Sequence, residues 1–115
     1  MKAVELAKRI YDRRRKYFEN LDHYLGVISD RVRKLLPDAR VYLFGSVVEG
    51  NYVPGKSDID VLVVVEKAPK TASELVELRL KVLEGIDFFS PFEVHVVDEK
   101  RFELYKKMCK KLVRV

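Results

Sequence analysis

Residues 43–64 have the sequence LFGSVVEGNYVPGKSDIDVLVV, and this stretch decides the fold. It places a glycine-serine turn, Gly45-Ser46, at the end of one apolar strand. Two carboxylates, Asp58 and Asp60, then stand at alternate positions where the next strand begins. Residues i and i+2 of a strand point to the same face and lie roughly 6.5–7 Å apart, so both carboxylates can bind ions between them. The pattern predicts a metal site.

The turn itself has the composition of an anion site. Gly45 has no side chain, which lets backbone amides approach an anion closely, and the Ser46 hydroxyl adds a donor. A short helix at 46–49 would point its N-terminal amides at the same anion. A phosphate next to divalent metal ions indicates nucleotide chemistry.

The residues around this stretch predict alternating helices and strands. Helical periodicity extends from about residue 2 to 36, and Asn20 or Gly26 could divide it. The other predicted elements are a strand at 40–44, the helix at 46–49, a strand at 59–66, a helix capped by Thr71 or Ser73 and running to about 84, a strand at 91–97 and a helix from 99 to about 112.

These elements predict an α/β (α+β) fold with a small mixed sheet of three or more strands flanked by helices. The run at 59–66 is almost continuously apolar, as expected for a central strand covered on both faces. A length of 115 residues favours one domain. We expect residues 1–36 to be helical, 40–97 to form the core and 98–115 to form a C-terminal helix.

Composition limits the possible classes of protein. Apolar residues make up 48% and charged residues 36% of the chain, which is typical of a globular protein. The sequence has no apolar run long enough for a membrane span and no signal-peptide core, so we expect a cytoplasmic protein. Cys109 is the single cysteine, which excludes an intrachain disulfide, and we expect it to be an ordinary helical residue. The absence of Gln and Trp and the many Lys, Arg and Glu residues favour a heat-adapted source.

The net charge of +5 is unevenly distributed. Basic residues dominate both ends of the chain, at 13–16 and again at 106–111, and acidic residues dominate the middle. The basic runs are either solvated helix faces or a surface for nucleic acid or an acidic partner. The aromatic residues between them favour core positions over base stacking.

Glu93 stands inside the otherwise apolar third strand, where an ionised side chain is rare without a partner. If this strand lies beside the strand of Asp60, Glu93 is a third metal ligand. The alternative is an edge-strand residue that points to solvent. His95 shares the face of Glu93 by alternation and is either a site residue or an ordinary strand histidine. We expect His23 to have no special role.

Residues 41–65 resemble the signature of the DNA polymerase beta-like nucleotidyltransferase superfamily. At this length the chain resembles its minimal members, which pair with HEPN-domain proteins. The resemblance implies that Asp58, Asp60 and Glu93 bind two Mg²⁺ ions and that Gly45, Ser46 and Ser57 hold the phosphates of ATP. It also implies transfer of AMP to a tyrosine hydroxyl of a HEPN-family toxin, with this chain as the antitoxin.

Two alternative functions are open at this point. One is a binding module that retains the site without catalysis and inhibits its partner by contact. The other is a nucleotidyltransferase that acts on RNA held by the basic helices. Many family members have a basic residue before the second glycine of the loop, whereas this chain has Glu49 before Gly50. We expect this difference to affect the strength of triphosphate binding.

Overall fold

A computed structural model describes residues 2–115 of the chain. Five helices and four strands follow one another along it: α1 (Ala3–Glu19), α2 (Leu21–Leu35), β1 (Arg40–Phe44), α3 (Ser46–Glu49), β2 (Ile59–Val64), α4 (Ala72–Val82), β3 (Phe92–Val97), α5 (Glu99–Met108) and β4 (Leu112–Arg114). The mixed α+β fold predicted from the sequence is confirmed. No helix within 2–115 is both long and apolar enough to cross a membrane.

The four strands form one mixed sheet in the order β3-β2-β1-β4. β1 pairs antiparallel with β2 and with β4, whereas β2 and β3 are parallel and are connected through α4. β2 is therefore a central strand, as its apolar sequence predicted. In the parallel pair, Asp60 lies beside Glu93 and Leu62 beside His95.

Alternation along the strands divides the core between the two faces of the sheet. On one face, Ile59, Val61 and Val63 are buried against a cluster that includes Tyr17 and Ile28 of the first two helices. On the other face, the side chains of a smaller cluster lie under α5; its buried members are Leu62, Val64, Val97 and Phe102. Asp60 precedes Leu62 by two residues and so lies on the α5 face of the sheet.

Local sequence explains where some of the helices begin or end. The Thr71 hydroxyl accepts a hydrogen bond from the Glu74 amide (3.1 Å), and the Asp98 carboxylate accepts one from the Arg101 amide (2.9 Å), so both residues cap the helices that follow them. Asn20 separates α1 from α2, and its side chain donates to the Lys16 carbonyl. Gly26, the other predicted break, lies inside α2.

The prediction of a C-terminal helix over 98–115 is wrong for its second half. α5 ends at Met108, and residues 112–114 form β4 at the edge of the sheet. Leu43 of β1 pairs with Val113, and the Val115 amide donates to the Val41 carbonyl at 2.9 Å. Without β4 these β1 groups would lie on an open edge, so their pairing favours a strand over a continued helix.

Candidate functional site

Three side chains converge on the α5 face of the sheet, where β2 and β3 run side by side. Asp60, Glu93 and His95 each offer one ligand atom, and these atoms all lie within 4.8 Å of one another. Asp60 and Glu93 are neighbours in the parallel register, and His95 follows Glu93 by two residues on the same face. Glu93 is exposed and the other two are partly buried, so the cluster is open to solvent. Two carboxylates and an imidazole are a donor set that fits a divalent cation.

The His95 ring has a defined orientation. Its Nε2 atom lies 3.3 Å from Asp60 Oδ1. The ring packs against Phe44 and Tyr105, with centroid separations of 5.3 and 6.4 Å. These aromatic contacts restrict the side chain to a position in which a ring nitrogen faces the carboxylate.

Gly45 permits the position of the Asp60 carboxylate. A Cβ atom on residue 45 would lie 2.5 Å from Asp60 Oδ2. Gly45 also has φ 82° and ψ −158°, a combination that residues with a side chain rarely adopt. The turn thus places the backbone of Gly45 directly against the side chain of Asp60, one of the predicted metal ligands. Asp60 lies on β2, opposite Phe44 of β1.

Asp58 has a different environment. Its Oδ1 atom forms an ion pair with Arg14 Nη2 at 3.1 Å, and its side chain is 52% exposed. Asp58 lies outside the group of three whose ligand atoms are within 4.8 Å of one another. The structure therefore brings Asp60 and Glu93 together, and it places Asp58 at the entrance to β2 with an arginine as its partner.

Arg14 connects α1 to both loops that border β2 and β3. Its Nε donates to the Gly55 carbonyl (3.1 Å) and its Nη2 to the Ser57 carbonyl (2.9 Å), while Nη1 lies 3.4 Å from the Phe89 carbonyl. The Arg14 side chain is only 17% exposed. The solvated-face interpretation of the run at 13–16 is therefore wrong for this residue.

A signal for Arg14 was present in the sequence. Ile10, Arg14 and Phe18 are spaced four residues apart, which places the arginine within the inward stripe of α1. A charged residue in such a stripe needs buried acceptors. Which acceptors it meets depends on loops that are more than 40 residues away in sequence.

The predicted phosphate-binding residues lie on α3 and on the loop that follows it. Ser46 is the first residue of α3, directly after Gly45. The Ser57 Oγ atom accepts a hydrogen bond from the Val53 amide at 2.7 Å, which closes the loop and leaves the hydroxyl hydrogen free to be donated. Gly55 packs so closely on α1 that a Cβ atom there would lie 2.5 Å from the Tyr11 ring.

Cys109 also lies close to this region, which its position in the sequence did not indicate. It is partly buried just after the last residue of α5. Burial raises the pKa of its thiol, and the negative charges of Glu49 and Asp60 raise this pKa further. The thiol is therefore less reactive at neutral pH than that of an ordinary exposed cysteine.

Comparison with protein families gives a match over most of the chain. The family model described as the nucleotidyltransferase domain matches residues 25–115. This range contains the whole sheet and the Asp60, Glu93 and His95 cluster, whereas α1 precedes it. A CCA-adding enzyme from Methanopyrus kandleri is 41% identical over 58 residues, which are 50% of this chain and 12% of that enzyme. The chain thus spans only a small part of that relative.

Two solved structures are similar over most of their length. One, provisionally described as a nucleotidyltransferase, is 35% identical with a TM-score of 0.64, over 79% of this chain and 96% of that one. A second, from Sulfolobus solfataricus and with a similar description, is 24% identical with a TM-score of 0.57, over 94% of this chain and 84% of that one. The second comparison concerns the fold alone.

Proposed function

Since the chain belongs to the nucleotidyltransferase domain family, we propose that it transfers AMP from ATP to a hydroxyl group in a Mg²⁺-dependent reaction. The observation that carries this proposal is the convergence of Asp60 and Glu93 on adjacent parallel strands, next to the Gly45-Ser46 turn. Nucleotidyl transfer requires carboxylates that can hold metal ions beside groups that can bind phosphate.

Asp58, Asp60 and Glu93 would hold the metal. Their oxygen donors suit Mg²⁺, and the exposure of Glu93 and Asp58 leaves room for water and substrate oxygens. Mg²⁺ held by these residues would stabilise the charge that develops on the entering and leaving oxygens during the transfer. To bind the metal, Asp58 would either give up its ion pair with Arg14 or coordinate the ion through its second carboxylate oxygen.

Gly45, Ser46 and Ser57 would bind the triphosphate. Ser46 and Val47 are the first residues of α3, and their amides have no partner within the helix. The Ser57 hydroxyl retains a hydrogen that it can donate. Glu49 is exposed at the end of α3, where its negative charge would weaken triphosphate binding through repulsion.

The reaction balances without a further reactant. The acceptor oxygen forms a bond to the α-phosphorus of ATP while the bond from that phosphorus to the pyrophosphate oxygen breaks. The acceptor proton would pass to the oxygen of the exposed Glu93 carboxylate that does not hold the metal. The products are an AMP ester and pyrophosphate.

The acceptor we propose is a tyrosine hydroxyl of a HEPN-family toxin, with this chain as the cytoplasmic antitoxin. The resemblance to minimal nucleotidyltransferases supports this assignment. Exposed apolar side chains support a protein partner: Val76, Leu80 and Phe88 are 52%, 68% and 93% exposed around one groove beside α4. A cluster of exposed apolar side chains is characteristic of a surface that another protein covers.

The test is AMP transfer measured with α-labelled ATP, Mg²⁺ and a purified HEPN-family protein from the same gene neighbourhood. We expect label on the partner with the unsubstituted chain and none with Asp60→Asn, because the ligand is lost. Glu77→Gln is the matched control, since Glu77 is an exposed carboxylate on α4 that pairs with Lys81. Transfer that persists in Asp60→Asn would contradict the proposal.

A contact-only inhibitor gives a different result in the same assay. The partner would remain bound and inhibited without label, and Asp60→Asn would inhibit it equally well. That outcome would support the binding module and contradict the proposed enzyme activity.

RNA is a second candidate acceptor, favoured by the similarity to a CCA-adding enzyme over 58 residues. Its test adds short RNAs with free 3′ hydroxyls to the labelling reaction. Label that appears in RNA, with binding that weakens steeply as salt rises, would favour this acceptor over a protein tyrosine.

A further inference from the structure

His95 is the one nitrogen donor in the cluster with Asp60 and Glu93. A histidine side chain that rotated freely could point its ring away from the carboxylates. Here Phe44 and Tyr105 pack against the His95 ring, and its Nε2 atom lies 3.3 Å from Asp60 Oδ1. The His95 and Asp60 side chains are 28% and 22% exposed. An ion can therefore reach the space between them.

The position of His95 is set by the same strand pairing that places the carboxylates. Glu93 and His95 are two residues apart on β3, and β2 brings Asp60 beside Glu93. All three lie on one face. No side chain has to cross the sheet or change strand for three donors to meet a single ion.

We propose that His95 is a metal ligand, and that with Asp60 and Glu93 it forms a mixed nitrogen and oxygen site selective for a cation such as Co²⁺, Ni²⁺ or Zn²⁺ over Mg²⁺. Imidazole nitrogen favours these ions, whereas Mg²⁺ prefers oxygen donors alone. The inference rests on the proposed function in that it assigns Asp60 and Glu93 to metal. It adds that the metal position next to His95 prefers another cation to Mg²⁺.

The first measurement is nitrogen NMR of the two imidazoles while Zn²⁺ is added. The chain contains two histidines, and His23 is exposed on α2, so it is an internal reference in the same spectrum. We expect a coordination shift of the His95 Nε2 resonance at stoichiometric Zn²⁺ and none for His23. An unchanged His95 resonance at saturating Zn²⁺ would overturn the proposal.

The second measurement is the affinity for Co²⁺ and Zn²⁺ by calorimetry in His95→Phe, which keeps an aromatic ring against Phe44 and Tyr105 but removes the nitrogen. We expect at least about a tenfold loss, because changes even to residues outside the ligand shell cost about 10–100-fold in metal affinity. Mg²⁺ affinity should change by less than about threefold, since Mg²⁺ gains little from nitrogen. His23→Phe should leave all three affinities unchanged.

Cys109 is the one other soft donor near the cluster, so both measurements are repeated in Cys109→Ser. If Zn²⁺ binding is lost in Cys109→Ser and retained in His95→Phe, the thiol is the ligand and the proposal fails. If His95-dependent metal binding is found but AMP transfer is not, the proposed function fails and the metal site stands. The two ideas therefore have separate tests.

Discussion

Gly45 shows how one missing side chain determines the position of a carboxylate. The Asp60 Oδ2 atom occupies the space where a Cβ of residue 45 would be, at 2.5 Å, and the turn has φ 82°. We predict that Gly45→Ala costs at least about 1–3 kcal/mol of stability from backbone strain alone. Displacement of Asp60 should also abolish metal binding. Urea unfolding and metal calorimetry measure the two effects.

Gly26→Ala is the matched control for this substitution. Gly26 lies inside α2, and no atom lies within 4 Å of the position that its Cβ would take. Alanine should therefore stabilise the protein by about 0.5–1 kcal/mol through helix propensity. If Gly45→Ala lowered the free energy of unfolding no more than Gly26→Ala does, the contact between residue 45 and Asp60 would contribute nothing to stability.

Cys109 gives a pH-dependent prediction at the same scale. Burial, Glu49 and Asp60 raise the pKa of the thiol, so at any given pH the folded protein contains less thiolate than the unfolded chain. Alkylation by iodoacetamide should be slower in the folded state and should reach half its maximal rate at a higher pH. Glu49→Gln removes one negative charge and should accelerate alkylation at fixed pH; an equal rate would contradict this origin of the shift.

At the scale of elements, α1 acts as a brace for the two loops beside the site. Arg14 bonds the carbonyls of the 53–58 loop and approaches that of Phe89, and it pairs with Asp58. We predict that Arg14→Ala lowers the free energy of unfolding by about 1–3 kcal/mol, since two partly buried carbonyls, those of Gly55 and Ser57, lose a charged donor together. Hydrogen exchange should show faster opening of both loops.

Arg15→Ala is the control on the neighbouring position. Arg15 is about half exposed, forms an i,i+4 pair with Glu19 and lies over the Tyr11 ring at 5.9 Å, so its removal should cost less than about 1 kcal/mol. Arg14→Lys should restore little, because an ammonium cannot reproduce the planar fork of donors. Equal effects of the two alanine substitutions would mean that α1 does not brace the loops.

At the scale of the whole molecule, metal binding should be linked to folding. The ligands come from two strands and meet only in the folded sheet, so an ion that binds the folded state stabilises it. At a free metal concentration of 100 times Kd, we expect about 2.7 kcal/mol of added stability. Thermal unfolding with and without Mn²⁺ measures this gain. Asp60→Asn should eliminate it, whereas Glu77→Gln should retain it; a gain that survives in Asp60→Asn would indicate another site.

The C-terminal end of the chain was harder to predict than the rest. The predicted helical segment at the N-terminus is present as α1 and α2, divided at Asn20. Local patterns indicated helices and strands correctly from Arg40 to Val97, where apolar alternation is strong. Residues 109–115 have a weak pattern of their own, and residues 112–114 form β4 because β1 offers an edge to pair with.

Local sequence was enough to predict the mixed α+β fold, the central place of β2 and the strand and turn positions of Gly45, Asp60 and Glu93, because strand alternation and turn chemistry are local properties. Three features became visible only in the folded chain: His95 faces Asp60, Arg14 pairs with Asp58, and β4 extends the sheet beside β1. Each of these contacts joins residues at least 35 positions apart. Such contacts depend on how elements pack and pair, which no short stretch of sequence encodes.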